Sequence, residues 1–494
     1  MKLLTTSTPR QKMQTTDTHS DILVLTAPLT VTTLPMHAPA VLKAIAKKAG
    51  FSCRTVDLNQ LTYRWSKKHT LLSSYFRFDN KENSSELQKS LDTWLSKVQK
   101  TIAKHQPKIL AVSVFSWQSR IAAKLICQLT RHHFPTIKII IGGSGILNLD
   151  VDIDFPLQIL GLKSVGVPGQ MSFAETLLQQ KLIDYYLQGD AEHAFFEFLK
   201  GNTSYIGINQ QNWQRLTKHD LANLDYPDYS DYDWSLYEDR VIGITGSNGC
   251  VRQCKFCDYI HIHNKYTWRT GENIFNEMLY QKQKYQTGTF HFSDSLLNGN
   301  MAEYQQLVTL LAEYNHNNPH DTFRWNSFMI IKSPEQFDDE LWRLTAASGC
   351  IGAWIGLETL SDELRFDMNK KFTNKEVDFC IEKIIKYNIP TSFLLFVGYP
   401  TETQDHIEQS IKWLEDHQHL KQHFDLFFNE TMFILPGSWI DQNRDIYKIK
   451  IPNPSDTSSW RSPLSSPELR MQRFSLLQNT AKSLGYAVFS PEEY

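Results

Sequence analysis

Three cysteines crowd into one short run, Gly249-Cys250-Val251-Arg252-Gln253-Cys254-Lys255-Phe256-Cys257. With 7 cysteines in 494 residues, a Cys-x3-Cys-x2-Cys triplet is expected by chance about 0.0014 times, from residue frequency cubed times length. A structural zinc site is one use for such thiols. It closes four ligands, usually as paired Cys-x2-Cys, and only His261 and His263 lie near enough in sequence to complete it. Three thiolates on one loop can instead hold three irons of a cubane cluster and leave the fourth iron open to a chelating ligand. An open iron means chemistry. An odd cysteine count with this crowding also fits a reducing compartment better than a disulfide framework, so the expected location is the cytoplasm. The isolated Cys350 and Cys380 read as buried small hydrophobes.

The triplet follows Val241-Ile242-Gly243-Ile244, the first of six candidate strands. The others are Thr289 to Phe292, Phe323 to Asn326, Ala353 to Gly356, Ser392 to Gly398 and Leu426 to Phe433, with helical segments between them. Capping boxes predict helix starts at Ser333 to Gln336, Thr373 to Glu376 and Thr401 to Gln404. Six strand-helix units over residues 239–440 predict a partial (β/α) barrel. Ahead of it, apolar strand runs at Ile22 to Leu25, Phe51 to Leu58, Ile109 to Phe115, Ile139 to Gly143 and Tyr185 to Gly189 alternate with helical stretches, including Pro35 to Gly50 and Ser119 to His133. Residues 21–200 therefore read as an open, doubly wound, Rossmann-like parallel domain. Residues 1–20 read as a disordered leader, 201–238 as an acidic, turn-prone linker, and 441–494 as a separate cap with a helix from Pro467 to Leu484. The fold class is thus α/β throughout. A formal charge of -2, from 51 Lys plus Arg against 53 Asp plus Glu, provides no general pull toward nucleic acid or anionic lipid. No apolar run reaches the roughly 18 residues of a spanning helix, so no membrane partner is expected.

The triplet, with an aromatic residue just before its last cysteine, resembles the radical S-adenosylmethionine (SAM) superfamily. The resemblance continues through Ile355-Gly356-Leu357-Glu358-Thr359 with Ser361-Asp362 and Met368-Asn369-Lys370, through Phe396-Val397-Gly398-Tyr399-Pro400-Thr401-Glu402-Thr403, and through Leu435-Pro436-Gly437-Ser438. It implies that Cys250, Cys254 and Cys257 bind a 4Fe-4S cluster and that SAM chelates its open iron. An electron through the cluster would then cleave SAM to methionine and a 5'-deoxyadenosyl radical. By the same resemblance Glu358 accepts from the ribose hydroxyls, Ser293 and Asp294 hold the methionine amino group, and Phe256 packs beside the adenine. Asn326 and Gly398 join these as candidates because they end the third and fifth strands. The family's Gly-Gly-Glu form is absent at Ser293-Asp294. A reductant such as flavodoxin or ferredoxin is the implied partner.

Doubly wound domains bind ligands beyond the carboxyl ends of their strands. Those loops here carry Ser113 and Ser116, Gly142-Gly143, and Gly189-Asp190-Ala191-Glu192, and their small residues would admit a large flat ligand close to the backbone. By resemblance they look like a cobalamin-binding domain placed before a radical SAM barrel. The Asp-x-His-x-x-Gly motif that supplies a cobalt-ligating histidine elsewhere is missing. Asp17-Thr18-His19 mimics its start, but Ile22 replaces the glycine and the segment precedes the first strand. His19 is therefore read as a decoy. The readings that follow are cobalamin-dependent methylation of an unactivated carbon; a radical rearrangement, cyclisation or oxidation with the first domain as scaffold; and a non-catalytic iron-sulfur protein. A methylthiotransferase needs a second three-cysteine site, for which Cys53 and Cys127 are too few. The substrate is expected to be a small molecule or peptide, and nucleic acid is not favoured, since no basic stripe carries interleaved aromatics.

Overall fold

The computed structural model describes residues 19–29, 32–66, 70–76, 84–146, 172–210, 215–257, 259, 265–435, 437–452 and 457–490. The leader, apart from its last two residues, lies outside the described residues, as do His261, His263, Pro436 and residues 491–494.

The first sheet is parallel throughout. Its strands β1 (Ile22–Thr26), β2 (Cys53–Val56), β3 (Ile109–Ser113), β4 (Lys138–Gly142) and β5 (Tyr185–Leu187) lie in the order β2-β1-β3-β4-β5, a doubly wound order. Strands buried on both faces must be apolar at every position, and β1 is fully buried along its length. Alternation then divides two cores. Leu23, Leu25, Leu110, Val112, Ile139 and Ile141 pack on the side of the helices Ser85–His105 and Arg120–His133. Ile22, Val24, Ala111 and Ile140 pack on the side of α1 (His37–Lys48) and the helix Ala191–Leu199.

The second sheet takes β6 (Val241–Ile244), then, after a two-stranded antiparallel pair of β7 (Ser247–Asn248) and β8 (Thr267–Trp268), β9 (Thr289–Phe292), β10 (Arg324–Met329), β11 (Cys350–Glu358), β12 (Thr391–Val397), β13 (Asp425–Thr431) and β14 (Val488–Phe489). Its order is β14-β13-β12-β11-β10-β9-β6, all parallel and unclosed, so it is a partial barrel. On the helix side, Phe290, Phe292, Trp325, Ile355, Phe393 and Phe428 form one continuous core. The six expected strands are joined by a seventh, because residues 488–489 pair with β13 and the helix Pro467–Ser483 packs on β12 and β13. The carboxyl-terminal segment is thus built into the barrel wall.

Three local readings change. Asn326 is not a strand end: β10 runs on to Met329, so Asn326 sits at its third position. Ser333 to Gln336 forms a turn, and the next helix starts later, at Asp339, capped by Asp338. The cap expected at Thr401 is instead Thr403, whose backbone N–H is bonded by His406 three residues on. The segment read as a linker is a strap between the two halves. Asp231 pairs with Lys43 at 2.5 Å and Arg54 at 2.7 Å, and Tyr237 donates to Asp57 at 2.5 Å. Turn-forming residues left those long-range partners invisible in the sequence.

Candidate active site at the barrel mouth

The thiol loop leaves β6 through β7 and is held from below by one carboxylate. Asp294, nearly fully buried, accepts from Gly246 N–H at 2.8 Å and from the Ser247 hydroxyl at 2.5 Å. Burial raises its pKa to about 7 against the pull of those donors. Its oxygens are therefore turned inward to the loop's root rather than toward an amino group, which corrects the reading of Asp294 as a methionine ligand. Ser293 beside it bonds Thr245 at 3.0 Å and the Ile244 carbonyl. Gly249 sits at φ 83°, where a Cβ would lie 2.4 Å from the Lys265 carbonyl oxygen, so only glycine lets the loop pass. From the outer side, Lys255 N–H donates to Met368 O at 3.1 Å, Asn369 Nδ2 donates to Gln253 O at 2.7 Å, and Lys255 pairs with Asp367 at 2.7 Å. The Met368-Asn369-Lys370 turn and the cysteine loop are one assembly.

Two of the sulfurs accept backbone hydrogen bonds at 3.4 Å, Cys250 from Arg252 N–H and Cys257 from Tyr259 N–H. Burial raises the Cys250 and Cys254 thiols, while the nearby Lys370 and Arg252 charges favour their thiolates. Among the described residues no three His, Cys, Asp or Glu groups are drawn together as a single-ion site. The donor set fits a cluster: three sulfurs on one loop, peptide N–H groups directed at two of them, and cations beside them.

Glu358 ends β11 in the left-handed region at φ 66° and pairs with Lys370 at 2.8 Å. A Cβ on Gly356 would come within 2.3 Å of its carboxylate, so the glycine makes room for it. Burial opposes the Lys370 charge, yet Glu358 and Cys254 keep its pKa raised. Lys370 thus links the carboxylate to the thiol loop. Phe256 meets Phe396 edge-on with ring centres 5.1 Å apart. Gly398, at φ 103°, is required by packing: a Cβ there would strike Arg470, and its N–H donates to both oxygens of Glu402 at 3.1 Å. Burial holds Glu402 up at about 7.

Inside the barrel, residues not singled out in the sequence come together. His37, at the start of α1, crosses from the first half and lies over Gly243, where a Cβ would stand 3.0 Å from its own Cβ. Its ring bonds the Tyr229 hydroxyl at 2.7 Å and Thr245 at 3.0 Å. Burial, with Arg269 and His291 nearby, lowers its pKa to about 4. His291 pairs in register with Gly243 and bonds Asn326 at 2.6 Å, and burial lowers its pKa below the ordinary value against that bond. The Thr-Phe-His-Phe alternation of β9 marks His291 as facing away from the helices, a signal available in the sequence. Nothing local marks His37.

At the carboxyl edge of the first sheet, the loops after β1, β3 and β4 are tied together. Ser119 donates to Leu29 O at 2.8 Å, Arg120 to Gly145 O at 2.7 Å, Gly145 N–H to Val114 O at 2.9 Å, and Ser144 bonds the Phe115 carbonyl. Ser113 is buried and Ser116 half-buried there. A Cβ on Gly143, at φ 109°, would lie 2.4 Å from Val114 O, whereas one on Gly142 would make ordinary contact with Leu187 at 3.5 Å. Gly143 thus serves a close approach of chain to chain, which corrects its reading as a place left open for a ligand. Phe115 and Trp117 stand 47% and 49% exposed on the same edge. Gly189, at φ 87°, leads into Asp190 and Glu192, where burial and the Asp190 charge raise Glu192 to about 7. His19 lies at the amino end of β1, on the opposite edge.

Residues 244–414, which carry the three-thiol loop and most of the parallel partial barrel, match the Radical SAM superfamily. The chain is 26% identical over 230 residues to a ribosomal protein uS12 methylthiotransferase RimO of Clostridium acetobutylicum, covering 43% of this chain and 50% of that protein. It is 24% identical over 203 residues to an uncharacterized methyltransferase of Synechocystis sp., covering 40% and 36%. These matches span half or less of the relatives' own length. In fold it is similar to the radical SAM methyltransferase TsrM from Kitasatospora setae with cobalamin and a [4Fe-4S] cluster bound, at TM-score 0.61, 16% identity, and coverage of 85% of this chain and 77% of that one. It is likewise similar to the cobalamin-dependent radical enzyme OxsB with aqua-cobalamin bound, at TM-score 0.63 and 11% identity over 94% and 67%. Among the described residues no helix is long and apolar enough to cross a membrane.

Proposed function

We propose that the chain is a cobalamin-dependent radical SAM methyltransferase acting on an unactivated carbon of a small molecule or peptide, with a reductant such as flavodoxin or ferredoxin. The observation that carries this reading is the joining of two sites in one body: the thiol loop at the mouth of a partial barrel, and a doubly wound sheet whose first helix begins inside that barrel with His37. When bound, a 4Fe-4S cluster would supply the electron that cleaves SAM, and cobalamin would supply the methyl group. The chain's own part is positional. Cys250, Cys254 and Cys257 hold the cluster; Asp294 fixes the root of their loop; Glu358, oriented by Lys370, presents a carboxylate for ribose hydroxyls; Phe256 offers a ring face. The edge bordered by Phe115 and Trp117 would receive cobalamin, and His19, on the far edge, would take no part in holding it.

A methylthio transfer finds no second thiol set, since residues 1–249 contain only Cys53 and Cys127. Burial raises both to about 12. A cobalamin-independent radical reaction draws support from Gly143, whose missing side chain is explained by Val114 alone. Anaerobic reconstitution with iron, sulfide and hydroxocobalamin, followed by absorption spectra and mass analysis, separates the two. Bound base-off cobalamin supports methylation, and a cluster-loaded protein that retains no cobalamin selects the cobalamin-independent radical reaction.

A further inference from the structure

The strand faces turned away from the helices are not filled as a core would be. Phe328, on a strand with neighbours on both sides, is 37% exposed, and the ring of its register partner Trp354 is 5.3 Å away. An aromatic left exposed beside its partner on β11, past Asn326 where the pairing with β9 stops, means that this face borders open space. Two residues earlier on the same strand, Asn326 Oδ1 accepts from Nδ1–H of His291 on neighbouring β9 at 2.6 Å. In a neutral ring that leaves Nε2 as a lone pair, and it has no protein partner among the described residues. The His291 ring meets Trp354 edge-on at 5.6 Å, so the acceptor and the aromatic wall belong to one surface. The carboxylates nearest this wall are already matched, Glu358 by Lys370 and Asp294 by the donors of Gly246 and Ser247, while Arg324, two residues before Asn326 on the same face of β10, is exposed.

We propose that His291 Nε2 is the anchoring acceptor of the substrate chamber, and that the substrate presents to it a neutral, flat group bearing one hydrogen-bond donor, stacked against Phe328 and Trp354. This rests on the barrel being the reaction chamber. An aromatic wall favours a planar partner, an oriented lone pair demands an N–H or O–H, an anion would set its own lone pairs against that of Nε2, and a cation would find Glu358 and Asp294 already matched. Asn326 is then a positioning residue, since it sets the tautomer that exposes Nε2.

The test uses the reconstituted full chain and three probes in equilibrium dialysis: 2-naphthol, its donor-blocked analogue 2-methoxynaphthalene, and the anion 2-naphthoate. Wild type should prefer 2-naphthol over the methyl ether by about tenfold, the worth of one hydrogen bond. It should bind 2-naphthoate more weakly than 2-naphthol. His291→Phe should abolish the preference while leaving methyl-ether affinity within about twofold, and His291→Gln, which keeps an acceptor, should retain a preference. No binding by wild type, no preference in wild type, a preference surviving in His291→Phe, or tighter binding of the anion overturns the proposal. If His291→Phe fails to fold, the His291→Gln and wild-type ratios still decide it. SAM cleavage to 5'-deoxyadenosine without substrate reports on the radical SAM reading by itself, so the two can fail separately.

Discussion

The mouth of the barrel and the carboxyl edge of the first sheet are both loop sites at the ends of parallel strands, yet they are built differently. At the barrel, side chains do the positioning: Asp294 clasps the loop root, Asn369 and Lys255 brace the loop, and Lys370 ties Glu358 to the thiols. At the first sheet the backbone does it, through Gly143 against Val114 and Gly145 against Ser116, and the outward side chains are aromatic. A site framed by charged side chains is pre-organised for small polar groups and small ions. A site framed by backbone and bordered by rings accepts a broad flat face with little chemical discrimination. The difference predicts that substitutions at the barrel act on affinity for specific groups, while those at the sheet edge act either on the fold or on general retention.

The largest effect tests the barrel half. Replacing Cys250, Cys254 and Cys257 together with Ala should abolish the brown chromophore of reconstituted protein, which should hold iron and sulfide near four per chain, the count of one cubane. Replacing Cys350 and Cys380, each buried in the helix-side core, should leave the chromophore intact. Iron near eight would reveal a second cluster. Next comes the sheet edge. Gly143→Ala puts a Cβ 2.4 Å from a backbone oxygen at a φ few side chains adopt, and should destabilise the chain by about 3 kcal/mol in urea unfolding. Gly142→Ala, in ordinary contact with Leu187, should cost under about 1 kcal/mol. Equal effects at these neighbours would mean that the backbone does not frame this edge.

Legibility in the sequence divides along the same line. Strands buried on both faces are continuous apolar runs, so β1, β3 and β4 could be placed within a residue or two, and the spacing of three cysteines needed no fold at all. Glu358 and Lys370 were both found within one motif, but the ion pair between them, twelve residues apart, was not, because ion pairing across a turn has no sequence period. Asp294 was found and given the wrong direction: a polar residue at a strand end can face the pocket or the loop root, and only the packed donors Gly246 and Ser247 decide. His37 was invisible because its contacts, Tyr229 and Thr245, lie about two hundred residues away. Glycine is the residue most open to misreading, since the same letter at 143 and 142 marks a close approach in one case and ordinary packing in the other.

Two smaller effects sharpen the contrast. Glu358→Ala should weaken SAM binding by about 1.5 to 3 kcal/mol, the range for a charged hydrogen bond, measured by calorimetry on cluster-loaded protein. Unchanged affinity would place the ribose elsewhere. At the sheet end, burial and then Asp190 raise Glu192 to about 7, above its ordinary 4.5. A carboxyl raised on folding stabilises most below about 4.5, and that contribution is lost as pH rises toward 7. Glu192→Gln cannot ionise, so its stability relative to wild type should improve by about 1 to 2 kcal/mol between pH 4.5 and 8, less than an isolated group would give because Asp190 shares the titration. A relative stability flat with pH would mean that Glu192 stays ionised in the folded chain.

The smallest effect is the most selective. Trp117 borders the sheet edge at the carboxyl end of β3 and is 49% exposed, so removing its ring takes little from the core. If a broad planar cofactor rests on this border, Trp117→Ala removes one stacking face and should lower cobalamin affinity by about two- to tenfold, the worth of an aromatic contact. Cluster content and 5'-deoxyadenosine formation should not move, because Trp117 belongs to the other sheet. The unfolding midpoint should stay within a few degrees of wild type, as for other exposed substitutions. That combination cannot arise from a general loss of structure, which would lower all the readouts together, as Gly143→Ala is expected to do. Unchanged cobalamin affinity in Trp117→Ala would leave the exposed rings without a part in cofactor binding and would shift the site along the edge toward Ser113 and Gly142.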